Sequence, residues 1–360
     1  MKGSCILKCL FIGSLLMYPQ FAFQIKTHRL LHLPLFEKKS HNVMPNTKKI
    51  QETPNKNLLV SNNTSQLQII QQKINGLVTL IRPINVLPTL FLTLFGGWIV
   101  HPSYTVFLLP KFLVTMVDTV IIMSSSMIIN DIYDVEIDKH NNPNRPLVKG
   151  IITIKEAVFA SMLLLVLAEY LNLSLLSTNL QWVVHVSILN ILLYTPVFKK
   201  ITFVKNLSCA SLVALSIFFG ALSTDTLLGI NDGFTILTIS LNLVFLGCLY
   251  NELLLDMCDL EGDKEHNIYT IPVLFGNNNS WFFASFILYS NIFLNSLELA
   301  YLYNSYVGSM IAFICIPFIQ DLYKIKQTNF SKEIITSSVK KSSDIMLVLF
   351  LYLGAISYYM

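Results

Sequence analysis

Charge is what this 360-residue chain has least of: Asp, Glu, Lys and Arg together make up 13% of it, against 53% hydrophobic residues. Soluble domains carry about a quarter of their residues charged, so a water-exposed globule is excluded. Six cysteines (Cys5, Cys9, Cys209, Cys248, Cys258, Cys315) are scattered with no Cys-x-x-Cys pair, which leaves neither a disulfide framework nor a zinc site. No glycine-rich phosphate loop and no Gly-x-Ser-x-Gly turn occurs, so the backbone cradles of nucleotide binding and serine hydrolysis are missing. The net charge of +4 is small, and nothing in it points to a nucleic-acid partner. No protein partner is implied either.

Long apolar runs dominate instead, with a mean hydropathy of +0.59. Residues 1–23 carry Lys2 and Lys8 and a short apolar run, Leu10–Met17, too short to span a bilayer and suited to a signal-like targeting segment. Residues 24–80 are polar, with eight Lys or Arg against Glu37 and Glu52. That composition is expected of a disordered or transit-peptide tail. Such a pair resembles the bipartite presequences of complex plastids, so a plastid membrane is one expected location. Mitochondrial membranes or endomembranes are the others.

Residues 81–360 form one membrane domain without a linker. Nine helices are expected, near 84–101, 108–130, 156–176, 180–196, 207–223, 234–252, 279–300, 304–320 and 343–359. The fold class is therefore an all-α membrane protein, because apolar spans must satisfy their backbone internally. Lys and Arg residues gather in the loops after even-numbered helices, whereas the opposite loops offer only Lys111. That bias places the two acid-rich helix ends described next on the cytosolic, matrix or stromal side.

The first acid-rich stretch is Asn130-Asp131-Ile-Tyr-Asp134-Val-Glu-Ile-Asp138. If the helix continues, Asp131, Asp134 and Asp138 share one face, with Asn130 beside them. In the second, Glu252, Asp256, Asp259 and Asp263 form another such stripe. Stacked carboxylates repel unless a cation neutralises them, and Mg²⁺ prefers oxygen ligands. Facing acid clusters at a membrane edge, ringed by Lys and Arg, suit a metal-bound diphosphate, and the greasy bundle beneath suits a hydrocarbon tail. Asp118, deep in the second helix, sits off the Asp131 face and is expected to be a helix–helix contact.

Asn130-Asp131-x-x-Asp134-x-x-x-Asp138 and Asp259-x-x-x-Asp263 resemble the two aspartate motifs of the UbiA-type intramembrane prenyltransferase family. Arg82-Pro83-Ile84-Asn85, Asn144-Arg145-Pro146-Leu147, Tyr194-Thr195-Pro196-Val197-Phe198-Lys199-Lys200 and Ile271-Pro272-Val273-Leu274-Phe275-Gly276 resemble its flanking segments. The resemblance implies a helical bundle with a central cavity that transfers a polyprenyl group, with Mg²⁺, from a prenyl diphosphate to a lipophilic acceptor, either an aromatic ring or a glyceryl phosphate ether. It implies that Asp131, Asp134, Asp138, Asp259 and Asp263 hold metal. Asn130, Arg82, Asn85, Arg145, Tyr194, Lys199, Lys200 and Asp256 are then expected to bind substrate.

Asn251, Leu255 and Tyr269 stand where many relatives carry basic residues, so the second cluster is short of cations. Two other outcomes stay open. One is a terpene cyclase on the same scaffold, quenching the cation internally. The other, not an enzyme, is a divalent-cation transporter or a lipid-binding membrane protein.

Overall fold

The structure, a computed structural model, describes residues 56–224, 232–265 and 268–359. The expected targeting segment and most of the polar tail lie outside these residues. Thirteen α-helices are described: α1 (Lys56–Leu80), α2 (Val86–Val100), α3 (Pro110–Tyr133), α4 (Val135–Asn141), α5 (Ile154–Leu175), α6 (Thr178–Tyr194), α7 (Val204–Leu222), α8 (Asp232–Cys258), α9 (Leu260–Glu265), α10 (Ile271–Leu302), α11 (Ser305–Ile314), α12 (Ile316–Gln327) and α13 (Lys332–Tyr359). No strand occurs among the described residues.

Eight stretches are long and apolar enough to cross a membrane, counted among the described residues. The ninth expected span is α6. Its 17 residues reach about 26 Å at 1.5 Å per residue, just under a hydrocarbon core of about 30 Å. The exposed side chains of the bundle are largely apolar, Phe282, Phe286, Phe293, Trp182 and Val166 among them, as lipid-facing surfaces require.

Element boundaries depart from expectation where local chemistry overrides hydropathy. Regular structure begins ahead of residue 81, because α1 docks its C-terminal turns on the loop before α5. Leu80 is fully buried there, packed with Leu77 in a cluster that includes Ile151 and Ile152, and Lys73 ion-pairs with Glu156. Glu156 also closes a capping box with Thr153 at the start of α5. A helix is expected only from 279, yet α10 starts at Ile271 and absorbs Gly276 as a positive-φ kink (φ 77°, ψ 164°). The expected helix 304–320 is divided at Cys315 into α11 and α12, with Pro317 in the first turn of α12, the position that tolerates a residue lacking an N–H.

Two glycines fix how the first half packs on the second. A Cβ at Gly96 would lie 1.9 Å from the Ile217 carbonyl oxygen, and one at Gly220 would lie 1.9 Å from that of Thr93. The α2 and α7 backbones therefore touch reciprocally, which is how small residues let membrane helices approach. Helix α7 packs in turn on α8, and α8 on α10 and α13, around one apolar core that includes Ile99, Ile217, Leu243, Leu254, Leu288 and Leu349. Asp118 is wholly buried, but both carboxylate oxygens lack a hydrogen-bond partner. Glu169 in α5 does make a polar helix–helix contact, its Oε1 lying 2.7 Å from His185 Nε2 in α6.

Candidate active site

Both acid-rich stretches are helix ends that bend without losing their hydrogen-bond ladder. Asp134 (φ −91°, ψ 5°) separates α3 from α4. Even so, the Asp134 N–H reaches the Asn130 carbonyl at 3.0 Å, and the Asp138 N–H reaches that of Asp134 at 2.8 Å. Asp259 separates α8 from α9 in the same way, donating to Leu255 at 3.1 Å and accepting from Asp263 at 2.8 Å. The i, i+4 succession expected of a helix therefore survives the bends at both sites.

In the first cluster each carboxylate is matched to a donor. Asp131, 2% exposed, accepts from Arg82 Nη2 and Arg145 Nη1, each at 2.5 Å. Arg145 Nε lies 3.8 Å from Asp138, and Asp138 also accepts from Asn142 Nδ2 at 2.9 Å. Asp134 accepts from Lys199 Nζ at 2.6 Å and from Asn130 Nδ2 at 3.0 Å. Arg82 reaches Asp131 from a left-handed backbone (φ 50°, ψ 73°) just before Pro83. That conformation costs a non-glycine residue about 1–2 kcal/mol, and the buried ion pair holds it in place. Arg82 Nε and Arg145 Nη2 remain buried without a partner, so two donor nitrogens are left over beside Asp131.

The second cluster is built on the α7–α8 contact. Asp256, buried, accepts from Lys205 Nζ at 2.6 Å and from Asn206 Nδ2 at 2.9 Å. Asp259 is exposed and lies 3.7 Å from Lys332 at the start of α13. Asp263 keeps one buried oxygen, Oδ2, without a partner. Burial chiefly pushes its carboxyl up to about 6; Lys205 opposes the rise, Asp256 and Asp259 add to it, and the nearby Thr270 hydroxyl opposes it.

The short stretch from Lys199 to Asn206 joins the two clusters, since Lys199 holds Asp134 while Lys205 and Asn206 hold Asp256. From Lys199 to Lys205 the chain advances six residues and spans at most about 20 Å, so both acid groups open on the same side and share one mouth. The Tyr194 hydroxyl lies within electrostatic reach of Asp134 from the first cluster and Glu252 from the second.

An apolar cavity of about 170 Å³ lies beneath the first cluster, between α2, α3, α6 and α7. Asn85 and Met127 line it near Asp131, and Thr119, Val184 and Phe219 are among its other walls. Several hydroxyls line it too, yet each donates to a carbonyl of its own helix: Thr89 to Asn85, Thr119 to Thr115, Ser126 to Met123, Ser187 to Val183 and Ser216 to Val213. With those donors satisfied, the chamber behaves as hydrocarbon.

Of the expected substrate contacts, Asn130, Arg82, Arg145, Lys199 and Asp256 gather at the mouth. Asn85 sits at the top of the cavity and donates to Met127 Sδ at 3.5 Å. Tyr194 accepts from the Cys209 thiol at 3.3 Å. Lys200 stays exposed with no acid partner among the described residues. The positions lacking a basic residue are put to other uses: Asn251 donates to Ser342 at 2.8 Å, Leu255 packs on the core, and Tyr269 is exposed. The cation for the second cluster comes from Lys205 instead. Sequence reading left Lys205, Asn142 and Lys332 unassigned. Lys205 had a signal, because antiparallel α7 and α8 bring position 205 level with 256.

Among the described residues no three Asp, Glu, His or Cys side chains stand together as a ready metal site, since most acids at the mouth already hold a Lys, Arg or amide. The donor set still suits a hard cation: all the candidate ligands are carboxylates, and Asp263 Oδ2 is buried and free.

A multi-pass helical membrane protein that gathers carboxylates and cations over a hydrocarbon chamber belongs with enzymes that work on lipids bearing a strongly anionic head. The UbiA prenyltransferase family profile matches residues 89–338, and the chain belongs to that family. It is 32% identical over 261 residues to the digeranylgeranylglyceryl phosphate synthase of Methanosphaera stadtmanae, covering 72% of this chain and 90% of that one. It is 30% identical over 278 residues to the synthase of the same name from Methanococcus aeolicus, covering 76% and 94%. The fold is similar to a solved structure concerned with digeranylgeranylglyceryl phosphate synthase in membranes (TM-score 0.65, 24% identity, 80% of this chain and 99% of that one). It is also similar to a UbiA homologue from Archaeoglobus fulgidus bound to DMAPP and Mg²⁺ (TM-score 0.57, 17% identity, 79% and 99%). The protein is thus a multi-pass intramembrane prenyltransferase, as the motifs implied.

Proposed function

We propose that this prenyltransferase acts with Mg²⁺ on an allylic prenyl diphosphate and that its acceptor is the free hydroxyl of a prenylated glyceryl phosphate. The observation that carries the reading is the shared mouth, where two carboxylate clusters linked by Lys199–Asn206 open over an apolar chamber. The acceptor class is supported by the two synthases of that name, which align over at least nine-tenths of their length. Mg²⁺ is supported by the carboxylate donor set and by the structural neighbour that carries it with DMAPP.

Asp131, Asp134 and Asp138 from one helix end, and Asp259 and Asp263 from the other, would hold the metal. Bound there, Mg²⁺ supplies Lewis-acid stabilisation of the departing diphosphate. The chain's own side chains do the rest. Arg82 Nε and Arg145 Nη2, buried and unpartnered, are placed to donate to diphosphate oxygens. Lys199 and Lys205 add positive charge across the mouth. The apolar cavity takes the prenyl chain and keeps water from the allylic cation.

The test is direct. Purified protein is incubated with Mg²⁺, geranylgeranyl diphosphate and geranylgeranylglyceryl phosphate, and products are identified by mass. A doubly prenylated glyceryl phosphate is expected. A cyclised hydrocarbon formed without acceptor refutes the transfer reading, and metal flux into proteoliposomes without prenyl chemistry refutes both. The location is likewise proposed from sequence alone: residues 1–23, as a signal-like segment, and the polar tail 24–80 resemble a plastid-type presequence, against which the archaeal relatives argue. Fusing those residues to a fluorescent protein tests it, and a signal elsewhere in the cell refutes it.

A further inference from the structure

An acceptor hydroxyl that attacks an allylic carbon must lose its proton, and most acids at the mouth are already committed. Asp131 holds two arginines, Asp134 holds Lys199, Asp256 holds Lys205 and Asp259 lies by Lys332. Asp138 lies near Arg145, and Asp263 is an expected metal ligand. Asp118 lies 13 residues down α3 from Asp131, about 20 Å away. Glu261 and Glu265 in α9 are exposed on the water side, which leaves Glu252 as the uncommitted acid that is not solvent-exposed. It forms no hydrogen bond or ion pair among the described residues, and its side chain is only partly buried.

The antiparallel register of α7 and α8 fixes its place. Lys205 is level with Asp256 at 2.6 Å. One turn deeper on both helices, position 209 is level with position 252. Cys209 lines the cavity and donates to the Tyr194 hydroxyl at 3.3 Å. Glu252 is near enough to Cys209, Tyr194, Cys248, Asp256 and Lys205 for their charges to bear on one another. The register therefore places it one turn below the Lys205–Asp256 pair and level with Cys209, which lines the cavity, the level at which the reacting carbon of a prenyl diphosphate lies if its head is at the mouth and its tail in the cavity.

We propose that Glu252 is the proton acceptor for the acceptor hydroxyl. The inference rests on the transfer reading above. The C1–oxygen bond of the prenyl diphosphate breaks, with its electron pair leaving on diphosphate. A lone pair of the acceptor oxygen forms the new C1–O bond, and the hydroxyl proton passes to the Glu252 carboxylate, later to be released through the mouth. The products are the ether, diphosphate and a proton.

Glu252→Gln keeps the shape and removes the base. Two readouts separate a chemical role from a structural one: transfer to geranylgeranylglyceryl phosphate, and donor ionisation without acceptor, followed as ¹⁸O scrambling from the bridging to the non-bridging positions of labelled geranylgeranyl diphosphate. Transfer is expected to fall about 100-fold or more, the scale of general-base catalysis, with scrambling within a few-fold of the unaltered protein. If Glu252→Gln transfers normally, the departing diphosphate takes the proton and the proposal falls. If both readouts fall together, Glu252 is structural and the proposal falls as well. Should Glu252→Gln not fold, Glu252→Asp decides, with slowed transfer and intact scrambling expected. If the unaltered protein makes no ether at all, the function reading fails rather than this residue's role.

Discussion

Asp131→Asn gives a stability prediction that does not depend on turnover. The carboxylate is 2% exposed and balances two guanidiniums whose side chains are 10–11% exposed. Removing one partner of a buried ion pair costs about 3–5 kcal/mol, because the other charge stays buried and uncompensated. Asn keeps one carbonyl oxygen for one arginine, and Asp138 remains 3.8 Å from Arg145, so the lower figure, about 3 kcal/mol, applies. At about 2–4 °C per kcal/mol for a domain of this size, the apparent melting temperature in detergent should fall by about 6–12 °C. The structure also sets the sign of a second effect. Arginines freed from Asp131 are better placed to bind an anion, so metal-free pyrophosphate should raise the melting temperature of Asp131→Asn more than that of the unaltered protein. A ligand at 100 times its Kd stabilises by about 2.7 kcal/mol, enough to restore most of the loss. The assay is fluorescence-detected thermal melting with and without pyrophosphate. If the variant melts with the unaltered protein and gains nothing extra from pyrophosphate, the two arginines do not depend on Asp131 and the first cluster is wrongly described.

Chelating Mg²⁺ with EDTA, or substituting Asp134→Asn or Asp259→Asn, should reduce prenyl transfer to near background while the protein still inserts; full turnover by mass analysis contradicts the assigned roles. Gly96→Ala and Gly220→Ala each push a methyl into a carbonyl 1.9 Å away, so each should destabilise by at least the 1–3 kcal/mol, roughly, of an overpacked core, whereas alanine at Gly262, which faces open space, should be near neutral in the same melts. A double-mutant cycle on Lys205→Met and Asp256→Leu should show coupling of about 0.5–3 kcal/mol, the double variant being less damaged than the sum of the singles. Asp263, held near 6 in the metal-free protein, is charged above that pH and neutral below it. Apparent Mg²⁺ affinity should therefore weaken as pH falls through about 6, and Asp263→Asn should flatten that dependence in a metal titration.

The bundle was legible in the sequence because lipid imposes long apolar helices, and the acid clusters because four carboxylates within a few residues have few structural uses. Partners across helices were harder to read. Nothing near Asp256 in the chain announces Lys205, which stands 51 positions earlier and meets it only through the α7–α8 packing. The family motif implies a substrate contact for Arg82, but its grip on Asp131 depends on a left-handed backbone that hydropathy does not encode. Gly276 departs in another way, since its positive φ is absorbed as a kink within α10, ahead of the helix start expected at 279. The tail from residue 24 hid α1 because its polar composition outweighed the few apolar side chains, Leu77 and Leu80, that dock it.

The position of Arg82 limits how far the front of this protein can be shortened. The family-wide core begins at residue 89, but one of the two guanidiniums on Asp131 comes from ahead of it, and α1 reaches α5 through Lys73. Any maturation protease that removes a leader must stop upstream of that contact. A version cut back to the shared core would insert and look complete by length, yet would carry Asp131 with half its counter-charge.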